Sequence, residues 1–329
     1  MQQPLKPYNH PDYNDLPTQF PPDFASAWGE DQYGIWFELS VKHVVQRFRW
    51  IPKGEFTIGS PENEKGRESN NLLGKETLHK VSFTQGYWLA ETACSQALWQ
   101  SVMDANLAQF NADILNPVEK VSWLDIQDFL KKLNQAIPNL KAQLPSEAQW
   151  EYACRAGTIT PFSLGENITP DQVNYNGNYP YADGEKGIYR EKTTPVTHFA
   201  ANDWGLYQMH GNVWEWCFDE FQKDLGPESM VNPVTARFKT VVRPDKAGSR
   251  GKAAAEQSSG LETTQPFNSE MLENGDDASV DRVLRGGSWD GNGQNCRSAI
   301  RDRSRADFRS MDVGFRFSLG LGVCGLLNG

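Results

Sequence analysis

The stretch CRSAIRDRSRADFRSMDVGFR spans residues 296–316 and follows RVLRGGSWDGNGQN at 282–295. Arg297, Arg301, Arg303, Arg305, Arg309 and Arg316 alternate with Ile300, Asp302, Ser304, Phe308 and Ser310, which share no chemical character. An amphipathic strand or helix repeats one character at a fixed period. Here only the arginine repeats, as though one sequence kept a backbone in place and a second, interleaved sequence were free to vary.

The rest of the chain sets limits on that reading. With 329 residues it is long enough for one large domain or two smaller ones. Its net charge of -10 leaves no sequence-wide field for nucleic acid or anionic membrane, so the basic tail is a local feature and nucleic-acid binding is disfavoured. The opening MQQPLKPYNHPDYNDLPTQFPPDF is polar and proline-rich, without an apolar signal core, and no run approaches the ~18 apolar residues of a membrane-spanning helix. Cys94, Cys154, Cys217, Cys296 and Cys324 form an odd set without CxxC spacing, which fits reduced, buried thiols and a cytoplasmic location.

Residues 1–24 read as an extended lead-in and 25–329 as a single domain. WFELSVKHVVQRFRWI (36–51) predicts a hairpin turning at Lys42-His43. Ser122 with Asp125, and Ser146 with Gln149, predict two capped helices, the second stopping at Gly157, and a third helix is expected around 95–103. Beyond them the chain is irregular and aromatic-rich, so Trp214 and Trp216 read as packing residues. The insert 222–280 holds few large apolar residues and is expected to be disordered. His10, His43, His79, His198 and His210 lack metal-ligand spacing, and GxSxG, Walker and GxGxxG motifs are absent.

Seven motifs then fall in order: IPKGEFTIGSP (51–61), ETACSQALWQSVM (91–103), PVEKVSWLDIQDFLKKL (117–133), LPSEAQWEYACRAG (144–157), GLYQMHGNVWEW (205–216), RVLRGGSW (282–289) and VGFRFSL (313–319). Together they resemble the formylglycine-generating enzyme (sulfatase-modifying factor) family. The resemblance implies an α+β, C-type-lectin-like fold, loop-rich, with two main helices and small twisted antiparallel sheets. It also implies an oxidase that binds copper through two cysteines after the GGS-aromatic motif. The second position matches Cys296, but the first falls on Gly291, so the paired thiolates are incomplete. The family's structural calcium sites would map near Asn174 and onto Glu215, with Gln208 where the family has an asparagine ligand; no occupied site is expected.

The tail GGSW…NCRSAxRxRxxADxRxxxVGFR resembles the variable region of a target protein of a diversity-generating retroelement. In such proteins a reverse transcriptase rewrites one segment through errors at template adenines, commonly in AAT and AAC codons. Residues Asp290, Gly291, Asn292, Asn295, Ile300, Asp302, Ser304, Phe308, Ser310 and Asp312 are all reachable from those codons, whereas Met311 needs another.

The resemblance therefore predicts a variable region over 282–316 that displays Trp289, Asp290, Asn292, Asn295, Ile300, Asp302, Ser304, Arg305, Phe308, Ser310, Met311 and Asp312. Gly286, Gly287, Ser288, Arg297, Arg301, Arg309, Gly314, Phe315 and Arg316 would be its scaffold, the arginines bonding several carbonyls or carboxylates at once. Such a mix of apolar anchors and polar contacts suits a protein ligand. The competing readings are a copper-dependent oxidase and a scaffold for one fixed protein partner.

Overall fold

A computed structural model describes residues 20–67, 73–234, 261–262 and 278–320. In chain order the strands are β1 (Ala27–Asp31), β2 (Gly34–Val41), β3 (Val44–Ile51), β4 (Gly54–Ile58), β5 (His79–Phe83) and β6 (Tyr87–Ala90). Helices α1 (Gln96–Val102), α2 (Trp123–Ala136) and α3 (Glu147–Arg155) follow, with β7 (Ala142–Gln143) between the last two. Then come β8 (Trp214–Glu220), β9 (Met230–Val231), β10 (Pro233–Val234), β11 (Leu261–Glu262), β12 (Asp281–Arg285), β13 (Asp302–Arg305), β14 (Val313–Gly314) and β15 (Ser318–Leu319).

The β2–β3 hairpin turns at Lys42 and His43, both at positive φ (45° and 72°), the mirror-image turn that matches the strands' twist. It joins a six-stranded sheet ordered β1-β2-β3-β6-β15-β7. Both expected capping boxes are present: Asp125 N–H donates to Ser122 Oγ and Ser122 N–H to Asp125 Oδ2, and Ser146 and Gln149 repeat the exchange. Helix α3 ends with Ala156 and Gly157 in left-handed conformation. Trp123, Ile126, Phe129, Leu130 and Leu133 face the main core, where Trp99 stacks on Phe129 and Phe315 meets both.

A second sheet, ordered β13-β12-β8-β14, carries the arginine-rich segment, and a three-stranded sheet is ordered β4-β5-β9. The sheets are mainly antiparallel, as expected, with the short pairs β14–β8 and β5–β9 parallel. Of the expected lead-in, residues 1–19 lie outside the described residues, and Phe20 and Phe24 are partly buried against Trp28, Trp88 and Phe37 at the edge of the main core. Within the expected disordered insert, residues 222–234 are ordered: Met230–Val231 pairs with β5, and Asn232 Nδ2 donates to Thr84 Oγ1. Most of the remaining insert, 235–260 and 263–277, lies outside the described residues, as does Cys324.

Candidate functional site

Irregular chain needs partners for its carbonyls and a reason to stay put. In this segment buried arginines provide both. Arg297 is fully buried; its Nη1 and Nη2 donate to Glu76 at 2.7 and 2.8 Å, Nη1 also to Glu64 at 2.7 Å, and Nη2 to the Gly66 carbonyl. Arg301 forms a two-pronged pair with Glu147 and donates to the Lys75 carbonyl. Arg316 pairs with Glu215 through Nε and Nη2 and reaches the Ala90, Glu91 and Tyr207 carbonyls. Each planar fork thus joins the segment to one or more distant elements. Arg309 differs: it is exposed, yet grips Asp125 in the capping box of α2.

Two further arginines, which the spacing in 296–316 did not single out, belong to the same frame. Arg285 is buried, pairs with Glu151 and donates to the Ile300 carbonyl. Arg282 lies 4.1 Å over the Trp123 ring and donates to the Phe218 carbonyl. Their place in RVLRGGSW was the available signal.

The glycines admit close backbone approach. Gly287 has φ +75°, and a Cβ there would meet the Asn295 carbonyl oxygen at 2.5 Å; at Gly314 it would meet the Val118 carbonyl oxygen at 2.5 Å. Gly286 also takes positive φ, beside Trp150, and Ser288 donates to Asp312 Oδ2 at 2.9 Å. Phe315 is wholly buried.

On this frame the candidate display residues divide. Asp290, Asn292, Arg305, Phe308 and Met311 are exposed, and Asn295, Asp302, Ser304, Ser310 and Asp312 are half-buried. Strand β13 alternates: Asp302 and Ser304 share one face, while Arg303 and Arg305 point from the other. Arg303 pairs with Asp281 and lies over Phe221, and Arg305 pairs with Asp307. Asn295 is occupied locally, its Oδ1 accepting the Asn292 N–H.

Two expected display residues are corrected. Ile300 is 2% exposed and packs in the main core with Trp123, Leu284 and Ala306, because the turn into β13 directs it inward. Trp289 is 4% exposed; its ring sits between Phe110 and Tyr189, and its Nε1 donates to the Met311 carbonyl. It forms a floor beneath the display. Phe110 and Tyr189, which also hydrogen-bonds Asp290, bring two loops outside the arginine-rich segment to this place.

The chemistry expected of paired cysteines does not fit. Gly291 stands at the first position, and Cys296 is fully buried, its thiol pushed well above the usual range by burial. Cys154, distant in sequence, is nearby and equally buried, with its thiol pushed up to about 12. The adjacent His210 is committed: its Nε2 accepts the Ser163 N–H and its Nδ1 bonds the Cys296 carbonyl. Among the described residues, no three His, Cys, Asp or Glu side chains are grouped to hold a metal ion. Glu215 has both oxygens engaged by Arg316, with Trp150 Nε1 on one of them, so its charge is already matched. Asn174 Nδ2 donates to Lys192 O and Asn212 Oδ1, and Asn174 Oδ1 has no hydrogen-bond partner among the described residues. Gln208 bonds Pro195 O and Asn212.

Fold and site together define an α+β scaffold of the C-type-lectin-like class. The chain belongs to the family of the sulfatase-modifying factor enzyme 1-like domain, whose model matches residues 38–319. Among curated relatives, formylglycine-generating enzyme of Mus musculus is 29% identical over 210 residues, 61% of this chain and 43% of that protein. The Mycobacterium tuberculosis enzyme is 40% identical over 96 residues, 28% of this chain and 30% of that protein. The chain thus spans less than half the length of these relatives. Among solved structures, Treponema denticola variable protein 1 matches with a TM-score of 0.60 at 23% identity, covering 86% of this chain and 98% of that one. PvdO from Pseudomonas aeruginosa matches with a TM-score of 0.58 at 20% identity, covering 89% and 98%. At these identities the likeness establishes the fold. Among the described residues no helix is long and apolar enough to cross a membrane.

Proposed function

We propose that this protein is a non-catalytic ligand-binding scaffold whose segment 289–312 is a retroelement-diversified display surface. The observation that carries the reading is the separation of roles within one short stretch. Arg297, Arg301 and Arg316 are buried and ion-paired to distant acids, while Asp290, Asn292, Phe308 and Met311, set between them, face solvent. A frame anchored by buried forks does not depend on the exposed side chains, so those side chains can change without loss of fold. Exposed Phe308 and Met311 are otherwise a liability on a soluble surface, and they suit anchors for a protein ligand. Treponema denticola variable protein 1 is, by its name, a variable protein on the same fold, which supports this reading.

The oxidase reading is disfavoured by Gly291 and by the burial of the Cys296 thiol. The display reading requires no cofactor, and buried free thiols suit a reducing cytoplasm. Sequencing the flanking DNA tests diversification. The expected result is a near-identical repeat of the 289–312 coding region, differing at adenines and lying beside a reverse-transcriptase gene. A locus with neither would contradict it.

A further inference from the structure

Two aromatic residues from outside the segment 289–312 are held against it. Phe110 lies on the loop between α1 and α2, half-buried, with its ring edge-on to Trp289 at 5.3 Å and 89°. Buried side chains take both of its backbone polar groups. Its N–H donates to Glu119 Oε1 at 2.8 Å, and its carbonyl accepts Gln96 Nε2 at 3.0 Å and Asn116 Nδ2 at 3.3 Å. Gln96 and Glu119 are 0% exposed and Asn116 is 7% exposed. The residue after Glu119 reaches the display itself, Lys120 N–H donating to the Ser310 carbonyl.

Tyr189 is half-buried, stacks on Trp289 at 6.1 Å and 18°, and donates its hydroxyl to Asp290. Its loop is fastened to the turn 290–293 twice: Asn176 N–H donates to the Gly291 carbonyl and Gly293 N–H to the Tyr179 carbonyl, each at 2.9 Å. Gly187 N–H donates to the Gly177 carbonyl, and a Cβ at Gly177 would strike the Gly187 and Ile188 carbonyl oxygens, so the loop closes tightly on itself. Trp289 donates its Nε1 to the Met311 carbonyl at 3.2 Å, which connects Phe110 and Tyr189 through one ring to the exposed Met311.

We propose that Phe110 and Tyr189 are fixed ligand-contact residues, which present one aromatic anchor beside 289–312 whatever that segment displays and take an apolar side chain of a protein partner. The inference rests on the display reading. Clamped backbones and stacked rings have little freedom left to lose on binding, which favours them as anchors. Trp289 is 4% exposed with its N–H spent on Met311, and the Tyr189 hydroxyl is spent on Asp290. A sugar therefore meets no open indole face here. The chemistry left at the surface is that of the Phe110 and Tyr189 rings and the Met311 side chain, which suits an apolar group.

The test uses full-chain clones selected against lysozyme and, separately, against ubiquitin from a library at Asn292, Asp302, Ser304, Phe308, Ser310 and Met311. Placed in these clones, Phe110→Ala or Tyr189→Ala should weaken binding to either bait about tenfold. Val45→Ala, exposed at the tip of the β2–β3 hairpin, should leave it unchanged. Alkylation reads contact apart from stability, with the labelled positions identified by peptide mass. Phe110→Cys and Tyr189→Cys add thiols that saturating bait should protect about tenfold, and Val45→Cys adds one that it should leave open. Cys94, Cys154, Cys217 and Cys296 are buried, so a variant that fails to fold shows itself by labelling there too. Affinities within twofold of the parent clones in both alanine variants, or thiols at 110 and 189 that label equally with and without bait, would overturn the proposal. Retention of the wild-type chain on immobilised mannan, lost in Phe110→Ala, would overturn it in favour of a sugar. A library without binders ends the display reading and this inference together, whereas binders indifferent to residues 110 and 189 end this inference alone.

Discussion

Arg297 and Glu76 form a buried ion pair, Nη1 to Oε2 at 2.7 Å and Nη2 to Oε1 at 2.8 Å, with both side chains at 0% exposure. They stand 221 residues apart, and their contact ties the display segment to the chain just before β5. A buried pair is weak evidence of net stabilisation, since desolvation offsets the attraction, but removing one partner strands the other charge. Arg297→Ala is therefore expected to destabilise the protein by about 3–5 kcal/mol, read from urea unfolding. Arg309→Ala, which frees the partly exposed Asp125, should cost no more than about 1 kcal/mol.

Exposure divides the display candidates in the same assay. Phe308→Ala and Met311→Ala should stay within about 0.5 kcal/mol of wild type, as surface changes do. Ile300→Ala should cost about 2–4 kcal/mol, because Ile300 is buried in the main core. Ile300→Asp should abolish folding. A tolerant Ile300 would return that residue to the display.

His210 and Glu119 act on stability with opposite sign. Burial lowers the His210 pKa from 6.5 to about 4, so the unfolded chain takes up a proton that the folded chain refuses. Its contribution is present above pH 6.5 and is lost as pH falls toward 4, about 3 kcal/mol in all. Glu119, raised from 4.5 to about 7, keeps its proton in the folded state after the unfolded chain has released it. Its contribution is present below pH 4.5 and is lost as pH rises through 7, again about 3 kcal/mol. Between pH 4.5 and 6.5 the two oppose. Wild-type stability should therefore be nearly level across that window, and Glu119→Gln should lose stability steadily on acidification.

Thiol chemistry checks the accessibility of residue 291, which is half-buried. Cys94, Cys154, Cys217 and Cys296 are buried, and burial raises each thiol, so none should react with a disulfide reagent before unfolding. A Cβ at Gly291 would make only ordinary contacts, 3.5 Å from Asn295 Cβ and from the Ser288 carbonyl oxygen. Gly291→Cys should fold normally and add one reactive thiol to the native count.

Local chemistry was legible in the sequence. The caps at Ser122 and Ser146 and the turn at Lys42-His43 are set by residues within a few positions of one another, and the structure shows each of them. Arg297, Arg301 and Arg316 were also legible, whereas Arg282 and Arg285 and the partners of all five were not. Glu64, Glu76 and Glu147 lie 233, 221 and 154 residues from the arginines they bind, and no local pattern marks a carboxylate as the mate of a distant guanidinium. Ile300 was misplaced for a related reason: codon accessibility describes how a residue can change, whereas the turn into β13 decides which way it points. Phe110, Glu119 and Tyr189 were missed because their loops reach the site only through tertiary packing.

The central claim is that the fold is independent of the side chains it displays. Its most direct measurement is a library that randomises Asp290, Asn292, Asp302, Ser304, Phe308, Ser310, Met311 and Asp312 together, sorted for protease resistance and then for binding to a protein bait such as lysozyme. The account predicts that most clones fold with wild-type resistance and that a subset binds the bait, while a matched library at Arg297, Arg301 and Arg316 yields few folded clones. Loss of folding across the first library would contradict it.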